Sequence, residues 1–201
     1  MNGECTDCYL SSNLPTTVKD EPWVWAHNFA PPSFFLRTEK REHGTIALRR
    51  AIVEGHFEVS IDGHSISLLL AEGRRYELPL TVEALDQLAL RTGLLVGKWL
   101  IHRPRIEIDK AWLVVAKATF DKTLGRGAKV STVSSVAENR EGSHVICVYT
   151  RNYLDLEDVG RVRSLLRKMG FVEPLCYKPD IYTYLNIYYG TTKIQPCRYR
   201  E

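Results

Sequence analysis

Residues 56–70 read HFEVSIDGHSISLLL: Phe57, Val59 and Ile61 alternate with polar neighbours, Asp62-Gly63 follows, and Ile66, Leu68 and Leu70 resume the alternation. A period of two sends successive side chains to opposite faces, and Asp-Gly tolerates the positive φ angles of a tight turn. The stretch therefore predicts an antiparallel hairpin with one apolar face, and the rest of the chain must cover that face. A second hairpin is expected to join AKVSTVSSV to SHVICVYT across AENREG, with Gly142 in the turn, and DIYTYLNIYY at 180–189 reads as a further strand.

Three segments carry a helical period instead. Thr81 can cap TVEALDQLALRTG, with Glu83 near the positive helix start, Leu85, Leu88, Ala89 and Thr92 on one face, and Gly93 as the stop. Asp109 can cap DKAWLVVAKATFDKTLG, which puts Trp112, Val115, Ala116 and Thr119 on the buried side and Gly125 past the end. In LEDVGRVRSLLRKMG, Glu157 and Asp158 open the helix and Arg167 and Lys168 close it, as the helix dipole favours. Val159, Val162, Leu165, Leu166 and Met169 face inward there, and Gly170 ends the run. Irregular alternation of helices with antiparallel hairpins predicts an α+β fold, with helices packed on one face of a sheet and the other face open.

With 201 residues, 44% hydrophobic and 25% charged, the chain can bury a core without metal or disulfide help. Residues 1–20 are polar and aperiodic, so a flexible tail is expected there and a single domain over 21–201. No run of eighteen apolar residues suggests a membrane span, and the N-terminus lacks the basic and apolar regions of a secretory signal. The expectation is a soluble protein of the cytoplasm, with the nucleus also open to it and no membrane partner. Cys5, Cys8, Cys147, Cys176 and Cys197 are odd in number, and in a reducing compartment they predict no disulfide framework. Cys5 and Cys8 form a Cys-x-x-Cys pair without a second pair at zinc spacing, so no metal is expected. A net charge of +3, from 27 basic and 24 acidic residues, permits an anionic partner without demanding one.

VGKWLIH at 96–102 sets Trp99 directly beside Lys98. In a strand the two part company: Trp99 and Ile101 take one face, Lys98, Leu100 and His102 the other. Helices on the first face make Trp99 a core plug and leave Lys98 and His102 toward a ligand. A phosphate loop is excluded, because GLLVGKW has three residues rather than four between its glycines, and Trp99 stands where Ser or Thr should hold magnesium.

LDQLALRTGLLVGKWLIH, the Ala-Trp at 111–112, AKVS at 128–131, HVICVYT at 144–150 and YKPDIYTYLNIY at 177–188 resemble the family named for a basophilic-leukaemia-expressed protein, over about residues 81–190. The order of GKWLI, a Trp-bearing helix, a hairpin and VGRVRSLLRKMGF is also similar, more distantly, to the mRNA cap-binding translation initiation factors. That resemblance implies a curved antiparallel sheet with helices behind it and a concave front where a methylated guanine lies between two tryptophans. There a glutamate reads the base and basic side chains take the phosphates. Lys98 matches the basic residue of the motif and Trp99 its buried tryptophan. The second stacking tryptophan falls on Leu88 and the neighbouring glutamate on Ala89. The first follows a Trp-x-x-Trp start that here reads PWVWAHNF, and the matching loop holds Phe34 and Phe35. Both stacking and base-edge hydrogen bonds supply base specificity, so the resemblance carries no clear methylguanine specificity.

Candidate contacts follow. In the strand reading of 181–188, Tyr182, Tyr184, Asn186 and Tyr188 share one face, a possible base-stacking platform or simply strand packing. Phe35 and Trp25 are further stacking candidates. Trp23 and Trp25 share a face, and core packing is favoured for at least one. Arg126, Lys129, Arg140 and His144 surround the second hairpin with only Glu138 and Glu141 opposing. They are either phosphate ligands or a solvated edge that discourages aggregation. His102, flanked by Arg103 and Arg105, either extends that patch or is merely solvated.

No catalytic or metal-binding signature is present, so no catalytic residue is assigned and no cofactor is expected. The favoured reading is a non-enzymatic RNA- or nucleotide-binding protein contacting phosphates through Lys98, Lys129, Arg126, Arg140, His102 and His144. The alternative is a protein-interaction module that has lost its ligand and binds protein partners on the helical face. A nucleotide hydrolase would further require paired carboxylates or a histidine in the front groove.

Overall fold

Alternating stretches become strands and 3.6-period stretches become helices over most of the chain. The structure, a computed structural model, describes residues 10, 13–27, 57–61, 64–70, 75–136 and 143–201. In chain order these hold β1 (Trp23–His27), β2 (Phe57–Ile61), β3 (Ser65–Leu70), β4 (Arg75–Pro79), α1 (Val82–Thr92), β5 (Gly97–Pro104) and α2 (Arg105–Phe120). There follow β6 (Gly127–Ser131), α3 (Val133–Val136), β7 (Ser143–Thr150), α4 (Leu156–Lys168), β8 (Cys176–Pro179), α5 (Asp180–Tyr184) and β9 (Tyr199–Arg200). Six strands form one sheet in the order β1-β6-β7-β5-β8-β9, every neighbouring pair antiparallel. The other three form a smaller meander, β2-β3-β4. The fold is α+β, as expected.

The opening hairpin pairs from Phe57↔Leu70 to Ile61↔Ile66, although Asp62-Gly63 itself lies outside the described residues. The second hairpin forms between β6 and β7, but β6 stops at Ser131 and Val133–Val136 coil into α3. Its AENREG turn, with Gly142, also lies outside the described residues.

α1 starts and stops where its caps require. The Thr81 hydroxyl accepts the Ala84 N–H at 3.2 Å, and Gly93 takes φ +70°, a conformation that costs a glycine little. At α4 the Asp155 carboxylate accepts the Asp158 N–H at 3.1 Å, and Glu157 and Asp158 sit in the first turn. Val159, Val162 and Leu166 are buried as the period predicts, and the fully buried Arg163 on the same side donates to the carbonyls of Phe171, Glu173 and Glu201.

Three expectations need correction. α2 begins at Arg105 rather than after Asp109: Pro104, at φ −66°, delivers the chain into a helix with its missing N–H unneeded. Asp109 is instead an interior residue whose carboxylate accepts the Thr16 N–H and hydroxyl. That contact, with the Val133 N–H donating to Pro15 O at 3.2 Å, ties residues 15–16 to the body of the protein. The stretch 180–189 is no strand. Pro179 ends β8, and residues 180–184 form α5. Ile181, Tyr182 and Leu185 also satisfy the i, i+1, i+4 spacing of a helical face, and all three are buried. Finally, Cys176 and Cys197 form a disulfide with their Cα atoms 5.3 Å apart, because β9 returns antiparallel beside β8 and the Arg198 N–H donates to Tyr177 O. Odd parity among five cysteines said nothing about such a pair.

Strand register defines two sheet faces. Val24, Ala26, Ala128, Val130, Ile146, Val148, Trp99, Ile101 and Tyr177 point to one side, all 2% exposed or less, in a core shared with α1, α2 and α4. Trp99 is the plug of that core, its indole N–H donating to Val159 O at 3.1 Å and its ring meeting Tyr177 edge-on at 5.1 Å. Gly97 makes the room: a Cβ there would come within 2.4 Å of the Tyr177 hydroxyl.

Candidate functional site

The other face is the candidate site. Directly paired residues project to the same side, so Trp25, Lys129, Cys147 and Leu100 form one row across β1, β6, β7 and β5. His27, Gly127, Tyr149, Lys98 and Lys178 form the next. Gly127 contributes no side chain, and a Cβ in its place would come 2.9 Å from His27 Nδ1.

On the β1–β6 side, charge lies on aromatic rings. Lys129 Nζ is 4.2 Å from the centre of the Trp23 ring, 4.7 Å from Trp25 and 6.0 Å from Tyr149. Trp25 runs nearly parallel to both Tyr149 (5.7 Å, 13°) and His27 (5.3 Å, 14°). Trp23, Trp25 and Lys129 are half-buried, and Arg126 is exposed immediately before β6, its backbone N–H donating to Tyr149 O. The core positions of β1 belong to Val24 and Ala26, so neither tryptophan packs under the helices as expected for at least one.

On the β5–β8 side, charge is sealed in. Lys98 is 8% exposed, its ammonium paired with the Asp180 carboxylate and donating to the Thr183 hydroxyl at 3.1 Å. Burial alone would weaken its hold on a proton, but Asp180 outweighs it and holds the ammonium above its ordinary value. Lys178, directly opposite Lys98 in register, is 5% exposed, donates to Ile187 O at 2.7 Å and lies 3.6 Å from the centre of the Tyr188 ring. Burial, reinforced by the Lys98 charge, pushes it down to about 8. Burial pushes the Cys147 thiol up, against the opposing pull of Lys129 and Lys98 on either side of β7.

The structure thus puts Lys98, Lys129 and Trp25 on one face, with Arg126 beside them. His102 is exposed on that same face near the end of β5. His144 falls on the helix side, fully buried with Nδ1 2.7 Å from Ser131 O, so it meets no phosphate. Parity explains this: His144 alternates with Val145 and shares the face of Ile146 and Val148. Tyr182 is fully buried in α5 and Tyr184 packs against the core, so the expected tyrosine platform on an open sheet face does not exist. Leu88 and Ala89 are buried in α1. Phe34, Phe35 and Arg140 lie outside the described residues, as do Cys5 and Cys8. Sequence reasoning missed His27, Tyr149 and Lys178. Alternation alone aligns Tyr149 with Cys147, but only the strand order brings that pair beside Trp25. Among the described residues no three His, Cys, Asp or Glu side chains could hold a metal, and no helix is long and apolar enough to cross a membrane.

An antiparallel α+β protein with an aromatic, lysine-bearing sheet face is the class that fold and site define. The chain belongs to the family of the basophilic leukemia-expressed protein Bles03, whose family model it matches over residues 4–186. Among solved structures it is similar to Ascaris suum eIF4E-3 in complex with the m2,2,7G cap, at 14% identity over 90% of this chain and 96% of that one, with a TM-score of 0.41. It is also similar to schistosome eIF4E complexed with m7GpppA and 4E-BP, at 11% identity over 90% and 97% of the two chains and a TM-score of 0.42. C. elegans eIF4E-3 with the 4E-binding protein Mextli and a cap analog matches at 12% identity over 81% and 91%, with a TM-score of 0.38. These are distant likenesses, and the fold assignment stands on the strand order and pairing of this chain.

Proposed function

We propose that the β1–β6 side of the front face binds a flat anionic ligand, a nucleotide or a short stretch of single-stranded RNA. The observation that carries the reading is the seat of Lys129, an ammonium within 5 Å of two half-buried indoles. Every base has a π face, so a base stacks on Trp25 or Tyr149 whatever its identity, while Lys129 and Arg126 meet phosphate. The Trp25 indole N–H is buried and has no acceptor among the described residues. Methylguanine specificity is not part of the proposal, since the positions that would confer it hold Leu88 and Ala89.

Fluorescence polarisation of a short 5′-phosphorylated RNA across a salt series tests this. Affinity falls as salt rises, and Lys129→Ala reduces the slope of log K against log salt by about one. Trp25→Ala removes a stacked base worth about 1–3 kcal/mol, a loss of about 5- to 150-fold. Binding that ignores salt and both substitutions contradicts the reading.

A second reading, a protein-interaction surface on the helix side, is favoured by Ile106 (90% exposed) and Val172 (73% exposed). They adjoin Glu107 and Glu173, which share an ion-pairing partner in Arg103. An Ile106→Ser, Val172→Ser double variant that keeps RNA binding but loses a protein partner supports that reading. One that loses neither removes it.

A further inference from the structure

We propose that Lys178 is a covalent modification site, its ε-amine, reached past the ring of Tyr188, condensing with a small aldehyde. The proposal is independent of the RNA reading, because the amine lies on the β5–β8 side of the sheet.

An ammonium carries three N–H donors. Around Lys178 the structure offers one carbonyl, Ile187 O at 2.7 Å, and one aromatic face, Tyr188 at 3.6 Å. The nearest carboxylate, Asp180, is already engaged by Lys98, which stands directly across the strand pair as a second cation. The Cys147 thiol is the remaining titratable neighbour, and its own burial keeps it protonated. Desolvation and a like charge both favour the neutral amine, as in lysines that act as nucleophiles. The value of about 8 agrees with that geometry.

Access is through one side chain. Tyr188 is 47% exposed, so the ring that lies over the buried amine itself meets solvent. The ring sits on an exposed turn held by the Tyr188 N–H donating to the Thr191 hydroxyl and by left-handed Asn186 and Gly190. The Cys176–Cys197 disulfide closes the loop that carries it. In the reaction the amine lone pair adds to the aldehyde carbon, the carbonyl oxygen leaves as water with both amine protons, and an imine remains.

The test is limited labelling of the full-length protein with propanal and cyanoborohydride, which traps the imine as a secondary amine, followed by peptide mass spectrometry. Lys178 is expected to be labelled severalfold faster at pH 7 than exposed Lys122 and Lys193, with a rate that levels off above pH 8 while theirs keeps rising. Tyr188→Ala, which removes the ring lying over the amine, accelerates labelling further. Asp180→Asn leaves Lys98 uncompensated and moves the midpoint to lower pH. Labelling slower than at Lys122 in both the wild type and Tyr188→Ala overturns the proposal, as does a midpoint above pH 10.

Discussion

One sheet face carries lysines of opposite fate. On the β1–β6 side, Lys129 lies over indole rings at a half-exposed position. On the β5–β8 side, Lys98 is buried against a carboxylate and Lys178 is buried without one of its own. The difference lies in what covers each lysine. α5 and the loop after it bring Asp180, Thr183, Ile187 O and Tyr188 onto β5 and β8, whereas Lys129 lies over the rings of Trp23, Trp25 and Tyr149. A residue type therefore says little about a site until its neighbours across the sheet are known. In the proposed function the aromatic side presents its charge to a ligand, whereas the other side holds its charge within the fold.

The comparison breaks most visibly at Asp180. Asp180→Ala strands a buried ammonium and is expected to cost about 3–5 kcal/mol, read by urea unfolding. Adding Lys98→Met should recover much of that loss, and a null effect of the single change would mean that Lys98 is not held as described. Gly97→Ala comes next, at about 1–3 kcal/mol, because its Cβ would collide with Tyr177 and disturb the packing on Trp99.

Lys178 supplies a pH dependence. Its folded-state value of about 8 lies below the ordinary 10.5, so the unfolded chain binds more protons between those limits, and wild-type stability rises as pH climbs through that window. Lys178→Met should remove this rise, and unfolding midpoints at pH 7 and pH 9.5 compare the two. An unchanged pH slope would place the Lys178 titration elsewhere. The smallest effect on stability belongs to Lys129→Ala, about 0.5–1 kcal/mol from the lost cation–π contacts. The same change is expected to weaken RNA binding strongly, which sets it apart from Asp180→Ala.

Much of the fold was legible because its signals are local. Thr81, Gly93 and the apolar stripe of α1 act within one helix, and the alternation of VGKWLIH alone assigned Trp99 to the core and Lys98 to the other face. What was not legible depended on partners distant in sequence. Nothing near Lys98 announces Asp180, 82 residues later, as its counter-ion. The run DIYTYLNIYY fits both a period of two and a short helix, and Pro179 decided between them. His144 was assigned by its place in a basic run, although the parity of β7 sends it inward. Trp25 and Lys129 were each legible as candidates, but their meeting required the β1–β6 pairing, which no short-range signal encodes.

Ligand binding is proposed on the aromatic side of the front face, and the four tryptophans of this chain report on it directly. Their indole N–H resonances can be followed by two-dimensional NMR during titration with a nucleoside triphosphate. The Trp23 and Trp25 signals are expected to shift with saturation, while those of Trp99, bonded to Val159 O, and core Trp112 stay in place. Motionless Trp23 and Trp25 signals at saturating nucleotide and RNA would contradict the proposal.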